Sequence, residues 1–224
     1  MLRVDIAGVS LTLLPQRAAF LPDSATLLVA DVHVGKAASF RGLGVPVPSG
    51  TTAQTLDRLS QALQATAARR LVVLGDFLHS ARSRGADTLA ALAQWREDHA
   101  ALPITLLRGN HDQRAGDPPA SLGIEVCDGP LACGPWLLAH EPQPHETAYV
   151  LAGHVHPGVV MGGRGFDRVR LPCFHFGVRV GVLPAFGAFT GTHVLPREPG
   201  DRVFAIADDA VHEVPQRQHV DFAR

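Results

Sequence analysis

A chain of 224 residues, 46% of them hydrophobic, is long enough to bury a full core, and one domain over residues 1–224 is expected. Its formal net charge of -1 excludes a protein that gathers polyanions by bulk charge, while leaving local basic patches open. All but one of the 20 basic residues are arginine, Lys36 being the single lysine.

At the N-terminus, Asp5, Gly8 and Pro15 interrupt the apolar residues before a signal-peptide core can form, and no later run reaches the length of a membrane span. The expectation is a cytoplasmic protein with no membrane partner. Short β-type runs then recur: LRVDI, LTLLP, TLLVA, RLVVL, ITLL, IEVC, WLLAH, YVLAG, VVMG, VRLP, RVGVLP, RVFAIA and VHEVP. Two helical patterns interrupt them. The first starts near Ser49 to Thr51, where Thr51 and Gln54 have capping-box spacing and Leu56, Leu59 and Leu63 repeat at helical intervals. The second runs from about Asp87 to Ala101, with Leu89, Leu92 and Trp95 on one face and Pro103 closing it. Beyond it no strong helix pattern is found. The order predicts an α/β fold, and two packed sheets with helices outside satisfy it. Residues 42–50, 114–119 and 196–200 read as surface loops. Cys127, Cys133 and Cys173 have neither an even count nor a CxxC spacing, which argues against a disulfide framework and against a thiolate metal site.

Twelve histidines stand out in a chain with one tyrosine, and their placement is informative. TLLVA ends in Asp31-Val32-His33, an acid and an imidazole two positions apart, which on an extended segment point to the same side. RLVVL ends in Gly75-Asp76, ITLLR in Gly109-Asn110-His111-Asp112, WLLA in His140, and YVLAG in His154-Val155-His156. Each alone reads as a polar turn after a strand. Five strands ending in metal-ligand residue types, at the carboxyl ends where α/β sites assemble, point to a metal centre.

In that order, D-x-H, G-D, G-N-H-D, a lone His and G-H-x-H, the chain resembles the calcineurin-like metallophosphoesterase superfamily. The resemblance implies a four-layer α/β/β/α sandwich, two mixed β-sheets flanked by helices. It further implies that Asp31, His33, Asp76 and His156 hold one divalent metal ion and Asp76, Asn110, His140 and His154 a second. Such pairs, with centres roughly 3.5 to 4 Å apart, clamp the attacking and leaving oxygens of a phosphoryl transfer, with a metal-activated hydroxide as nucleophile. Oxygen and imidazole ligands suit manganese, the expected metal, with iron or zinc as alternatives. His111 is expected to be the catalytic histidine facing substrate, diverging from its neighbour Asn110 on an extended segment, with Asp112 orienting it. His79, Lys36 and Arg41 are weaker substrate-binding candidates: His79 as well suits orienting a ligand, and the other two sit in what reads as a loop. His175, His193, His212 and His219 show no paired spacing and read as surface or core residues, and Glu141 is unassigned.

Longer stretches, DVHVGKAASFRGLGVPVPSGTT, LVVLGDFLHS, LRGNHD, AGHVHP and LPCFHFGVRVGVLPAFGAFTG, are similar to the bacterial ligase-associated metallophosphoesterases, also described as ligase-associated DNA damage response endonucleases. That resemblance spans about residues 25 to 206. It implies an endonuclease acting in DNA repair on DNA, single-stranded by preference, alongside an ATP-dependent ligase, a helicase and an exonuclease. From the residues themselves, Arg164, Arg168, Arg170 and Arg179 suggest a basic strip able to track a phosphate backbone, against the plainer reading of solvated strand edges. Phe166, Phe174, Phe176, Phe186 and Phe189 suit base stacking, although most are needed for a core, and PAFGAFTG suits a packed turn between sheets. An alternative keeps the chemistry and takes small nucleotides, which the lack of an inserted cap domain disfavours. Another is a non-catalytic scaffold of the same fold, disfavoured because every ligand and the histidine are present.

Overall fold

The computed structural model describes residues 1–162 and 168–216. Arg164, Phe166 and His219, named above, lie outside the described residues. The chain opens with β1 (Leu2–Ile6), β2 (Val9–Leu14), β3 (Ala18–Leu21) and β4 (Thr26–Val29), followed by helices α1 (Lys36–Arg41) and α2 (Thr51–Thr66). Strand β5 (Arg70–Val73), helix α3 (Ala86–Asp98), strand β6 (Ile104–Leu107), helix α4 (Asn110–Ala115) and strand β7 (Ile124–Cys127) complete the first half. The second half is built of β8 (Leu131–Cys133), β9 (Trp136–Leu138), β10 (Tyr149–Ala152), β11 (Pro157–Gly162), β12 (Arg168–Phe176), β13 (Val180–Val182), β14 (His193–Val194), β15 (Arg202–Ala207) and β16 (Ala210–Val214).

These strands form two mixed sheets. The first runs β1-β2-β3-β4-β5-β6-β7 in chain order, antiparallel up to β4 and parallel from there. The second runs β14-β11-β12-β13-β10-β9-β8, with β15 joined to β12 and β16 to β15. Within it β9, β10 and β13 are mutually parallel, so that β9 and β10 end on the same edge.

Alternation along the central strands explains why the sheets stack. In β4 and β5, Leu27, Val29, Leu71 and Val73 join one core cluster, with Leu56, Leu59, Leu92 and Trp95 of the helices. Their neighbours Leu28 and Val72 face the other way, into a second cluster with Trp136, Leu138, Phe174, Phe176 and Phe204 of the second sheet. A strand covered on both faces is a continuous apolar run, and TLLV is buried throughout for that reason. The expected flanking helices are few. All four come from residues 36–115, and among the described residues no α-helix follows.

Several local expectations need correction. The Thr51/Gln54 capping box is not formed: Gly50, at φ 78, is the N-cap, and its carbonyl accepts from the Gln54 amide at 3.0 Å. Buried leucines, worth about 2 kcal/mol each, outweigh a cap worth about 1 kcal/mol, so α2 forms without one. The stretch holding Lys36 and Arg41 is helix rather than loop, and Asn110 and His111 open helix α4 rather than continuing an extended strand. Both helices have six residues, under two turns, too short to show a periodicity. The PAFGAFTG stretch packs as expected: residues 184–187 are buried, and the Phe186 and Gly187 amides bond the carbonyls of Ala30 and Asp31.

Candidate metal centre

The residues singled out at strand ends meet at one edge, where β4, β5 and β6 of one sheet and β9 and β10 of the other terminate. Two ligand-bearing loops pair directly: the Asp31 amide bonds the Gly75 carbonyl at 3.1 Å and the His33 amide bonds the Asp76 carbonyl at 2.8 Å. The backbone there is not extended. Asp31, His33, Asp76, His154 and His156 all have φ between 47 and 73, the left-handed region. Each such non-glycine residue costs about 1–2 kcal/mol, which the surrounding core must carry. The i, i+2 convergence expected from an extended strand is therefore reached by a different route, with both members of each pair in a left-handed turn.

Two clusters that include an aspartate result, beside a third group of His33, His79 and His111. In one, Asp31, His33 and His156 bring ligand atoms within 4.8 Å of one another. The Nε2 atoms of His33 and His156 are 3.2 Å apart, and His156 Nε2 is 3.7 Å from Asp31 Oδ1. In the other, Asp76, His140 and His154 do the same. His140 Nε2 is 3.1 Å from His154 Nδ1, 3.1 Å from Asn110 Oδ1 and 3.6 Å from Asp76 Oδ1. Asp76 belongs to both, since its Oδ2 is 3.9 Å from His33 Nε2 while its Oδ1 faces His140. Asp31 and Asp76 are almost fully buried.

The donor set fits a divalent cation. His140 Nδ1 is 2.9 Å from the Leu74 carbonyl, a pure acceptor, so Nδ1 carries the proton and Nε2 is a lone pair. That lone pair points at Asn110 Oδ1 and Asp76 Oδ1, which are acceptors too. Acceptors converging on a common point, at the spacing of roughly 3.0–3.5 Å set by metal–nitrogen bonds of about 2.1 Å, are arranged to surround a cation. Burial drives the His33 imidazole pKa far below its ordinary value, which keeps the ring a neutral ligand. Burial raises the Asp76 pKa, while His140 and the His111 amide, which bonds Oδ1 at 2.9 Å, pull it back. Close approach needs glycine at two places. A Cβ at Gly75 (φ +83) falls 2.1 Å from His140 Nδ1, and one at Gly153 falls 2.7 Å from Asp31 Oδ2.

The other expected residues divide. His111 lies beside the first cluster, its ring centroid 4.9 Å from that of His33, and its Nδ1 is 2.7 Å from the His79 carbonyl. Asp112 does not orient that ring. Its two oxygens accept from the amides of Leu78 and Gly109 at 3.0 Å each, so it ties the loop after β5 to the start of α4. Burial raises its pKa and these amides lower it. The ring of His79 stacks on His111 at 4.8 Å and on Phe40 at 5.9 Å, and burial lowers its pKa to about 4. Lys36 opens α1, near enough to Asp31 and Asp76 for their charges to act on it. Arg41 is not brought to the centre: it is exposed, and its Nη1 bonds the Pro48 carbonyl at 2.8 Å.

The basic strip is not continuous. Arg168 and Arg170 open β12, whereas Arg179 lies past its other end, where β13 begins beside the start of β10, away from the edge that carries the clusters. Sequence reasoning also missed the two orienting carbonyls, of Leu74 and His79. Both are main-chain groups, which no residue type announces. It missed as well Arg17 and Arg58, which bond the carbonyls of Gly187 and Phe186 at 3.2 and 2.6 Å and brace the segment lying against Asp31.

Two mixed sheets carrying such paired His/Asp clusters define a hydrolytic phosphoesterase with a site suited to divalent metal. No family model matches the chain, and no curated protein matches it. Among solved structures, a nuclease MPE from Pseudomonas putida superimposes with a TM-score of 0.84 at 44% identity, over 95% of this chain and 99% of that one. The chain belongs to the family of that nuclease. YfcE, a phosphoesterase from E. coli, gives a TM-score of 0.42 at 14% identity, over 84% of this chain and 97% of that one. No helix among the described residues is long and apolar enough to cross a membrane.

Proposed function

We propose that this protein is a manganese-dependent phosphodiesterase that cuts DNA internally, acting on single strands in the bacterial cytoplasm. Its place is DNA repair alongside an ATP-dependent ligase, a helicase and an exonuclease. The observation that carries the reading is the position of Asp76, whose two oxygens face one cluster each, 3.9 Å from His33 and 3.6 Å from His140. Membership of a nuclease's family supports nucleic acid as the substrate.

In this reading Asp31, His33, Asp76 and His156 hold one cation, and Asp76, Asn110, His140 and His154 the other. Two divalent cations bound there supply a more acidic water and neutralise charge on the phosphoryl group. The chain's own residues do the rest. His111 donates its Nδ1–H in a hydrogen bond to the His79 carbonyl and keeps that proton, so the second proton of its imidazolium form sits on Nε2 and passes to the departing oxygen as the P–O bond breaks, leaving the neutral ring. Asp112 acts on the reaction only through the main chain it holds. Lys36, at the mouth of the first cluster, attracts the phosphate, and His79 keeps the His111 ring in place by stacking.

The test is circular single-stranded DNA incubated with the manganese-loaded protein, beside a chelated sample and a His111→Ala control. Circles have no ends, so linear product that needs both metal and His111 establishes internal cleavage. Intact circles, with hydrolysis of a simple diester by the same preparation, would transfer the activity to small nucleotides.

A further inference from the structure

A cavity of about 390 Å³ opens beside the second cluster, directly on Asn110 and His140. Its floor is apolar, from Leu137 and Val150 of the second sheet, and its rim carries the exposed side chains of Gln113, Glu141 and Gln143. Charge decides what such a space accepts. Arg108 is the one arginine lining it among the described residues, and its guanidinium is committed. Nε and Nη2 bond the Asp117 carboxylate at 2.9 Å each, and Nη1 bonds Asp128. With two carboxylates on that arginine and Glu141 at the rim, the lining away from the cluster offers a phosphate oxygen no uncommitted guanidinium among the described residues. A flat, uncharged group with apolar faces and N–H donors on its edge fits instead.

We propose that this cavity takes the nucleobase joined through its sugar to the scissile phosphate, with Glu141 and Gln143 reading the amino-bearing edge of cytosine or adenine. The proposal rests on the phosphodiesterase reading above. Glu141 follows His140 directly and lines the same cavity, and its Oε2 takes one bond, from Gln143 Nε2 at 3.2 Å, leaving lone pairs for an exocyclic amine. A base seated there has left its stack, so the cavity selects unpaired nucleic acid over duplex.

The test uses the manganese-loaded full chain and single-stranded oligonucleotides that carry cytosine, thymine or an abasic residue at one position on either side of the cut. Bis(p-nitrophenyl) phosphate serves as a diester without a base. Cleavage next to cytosine is expected to exceed cleavage next to the abasic residue by about tenfold on the cavity side, the size of one lost base contact. Glu141→Gln is expected to lower the cytosine-over-thymine ratio, and Leu137→Trp, which fills the floor, to erase the difference between cytosine and the abasic residue. Each readout is a ratio within one preparation, so a partly folded variant still reports. Equal cleavage beside cytosine and the abasic residue, with the simple diester hydrolysed, overturns the cavity assignment and leaves the phosphodiesterase reading standing. Hydrolysis of neither oligonucleotide nor simple diester overturns both.

Discussion

Two regions of the molecule bury histidine against aspartate, and they do so at different distances. In the second sheet His175, on β12, meets Asp201 with Nε2 and Oδ2 2.8 Å apart, and the same oxygen accepts the Glu198 amide at 2.9 Å. Donor meets acceptor there, and the interaction is complete within the protein. At the strand ends the corresponding separations are 3.6 Å for His140 to Asp76, 3.7 Å for His156 to Asp31 and 3.9 Å for His33 to Asp76. These are too long for hydrogen bonds and suited to groups that share a cation. The backbone differs in the same sense. His175 sits within a regular strand, whereas five residues of the clusters adopt left-handed φ values. Identical residue types thus make a structural staple in one place and a strained, incomplete site in the other.

The sharpest way to test that contrast is to remove an aspartate from each region. Asp76→Ala is expected to abolish binding of both cations and to lower turnover by at least about a thousandfold. In the metal-free protein the relief of a buried carboxylate is offset by the His111 amide left without its acceptor, so stability is expected to change by less than about 1 kcal/mol. Elemental analysis and chemical denaturation of chelated samples check this; two retained ions would show that Asp76 does not join the clusters. His111→Ala is next in size. It is expected to keep both cations and to lose about a hundred- to ten-thousandfold in turnover, and a parallel fall in metal content would make His111 a ligand. Asp201→Ala reverses the pattern of Asp76→Ala. Leaving the buried His175 ring without its partner costs about 3 kcal/mol of unfolding free energy, while the metal content and turnover of the native fraction stay as they were. A loss of bound metal in that variant would mean the two regions are coupled.

How much of this was legible in the sequence follows from what kind of group does each job. The buried strands and helices α2 and α3 were readable because alternation and 3.6-residue repeats over many positions record which face is covered. Strands β3, β8 and β14, of four, three and two residues, and the six-residue α1 and α4 carry too few positions for any period to emerge. The ligand types at the strand ends were readable from residue chemistry and order. The reason for their convergence was not, because a left-handed φ at Asp31 or His156 is imposed by the main-chain pairing of loops distant in sequence. The role expected of Asp112, orienting His111, went instead to the carbonyl of His79, which any residue at that position would supply.

The smallest expected effect separates two cations that the sequence treated alike. Lys36 and Arg41 occupy the two ends of α1, about 7.5 Å apart along a helix rising 1.5 Å per residue. Lys36 begins the helix directly after the first ligand pair. Burial lowers the pKa of its ammonium group, and the carboxylates of Asp31 and Asp76 raise it again, which places its charge within the field of the clusters. Arg41 spends its guanidinium on the Pro48 carbonyl, holding the start and end of the exposed loop 42–50 together. Arg41→Ala should therefore change stability by less than about 0.5 kcal/mol and leave kcat and KM for DNA within the error of the assay, whereas Lys36→Ala raises KM and leaves the bound metal in place. Steady-state kinetics on one oligonucleotide decides between them. If Arg41→Ala raised KM as much as Lys36→Ala does, the 42–50 loop would have to carry Arg41 onto the substrate, and the division between the two ends of α1 would fall.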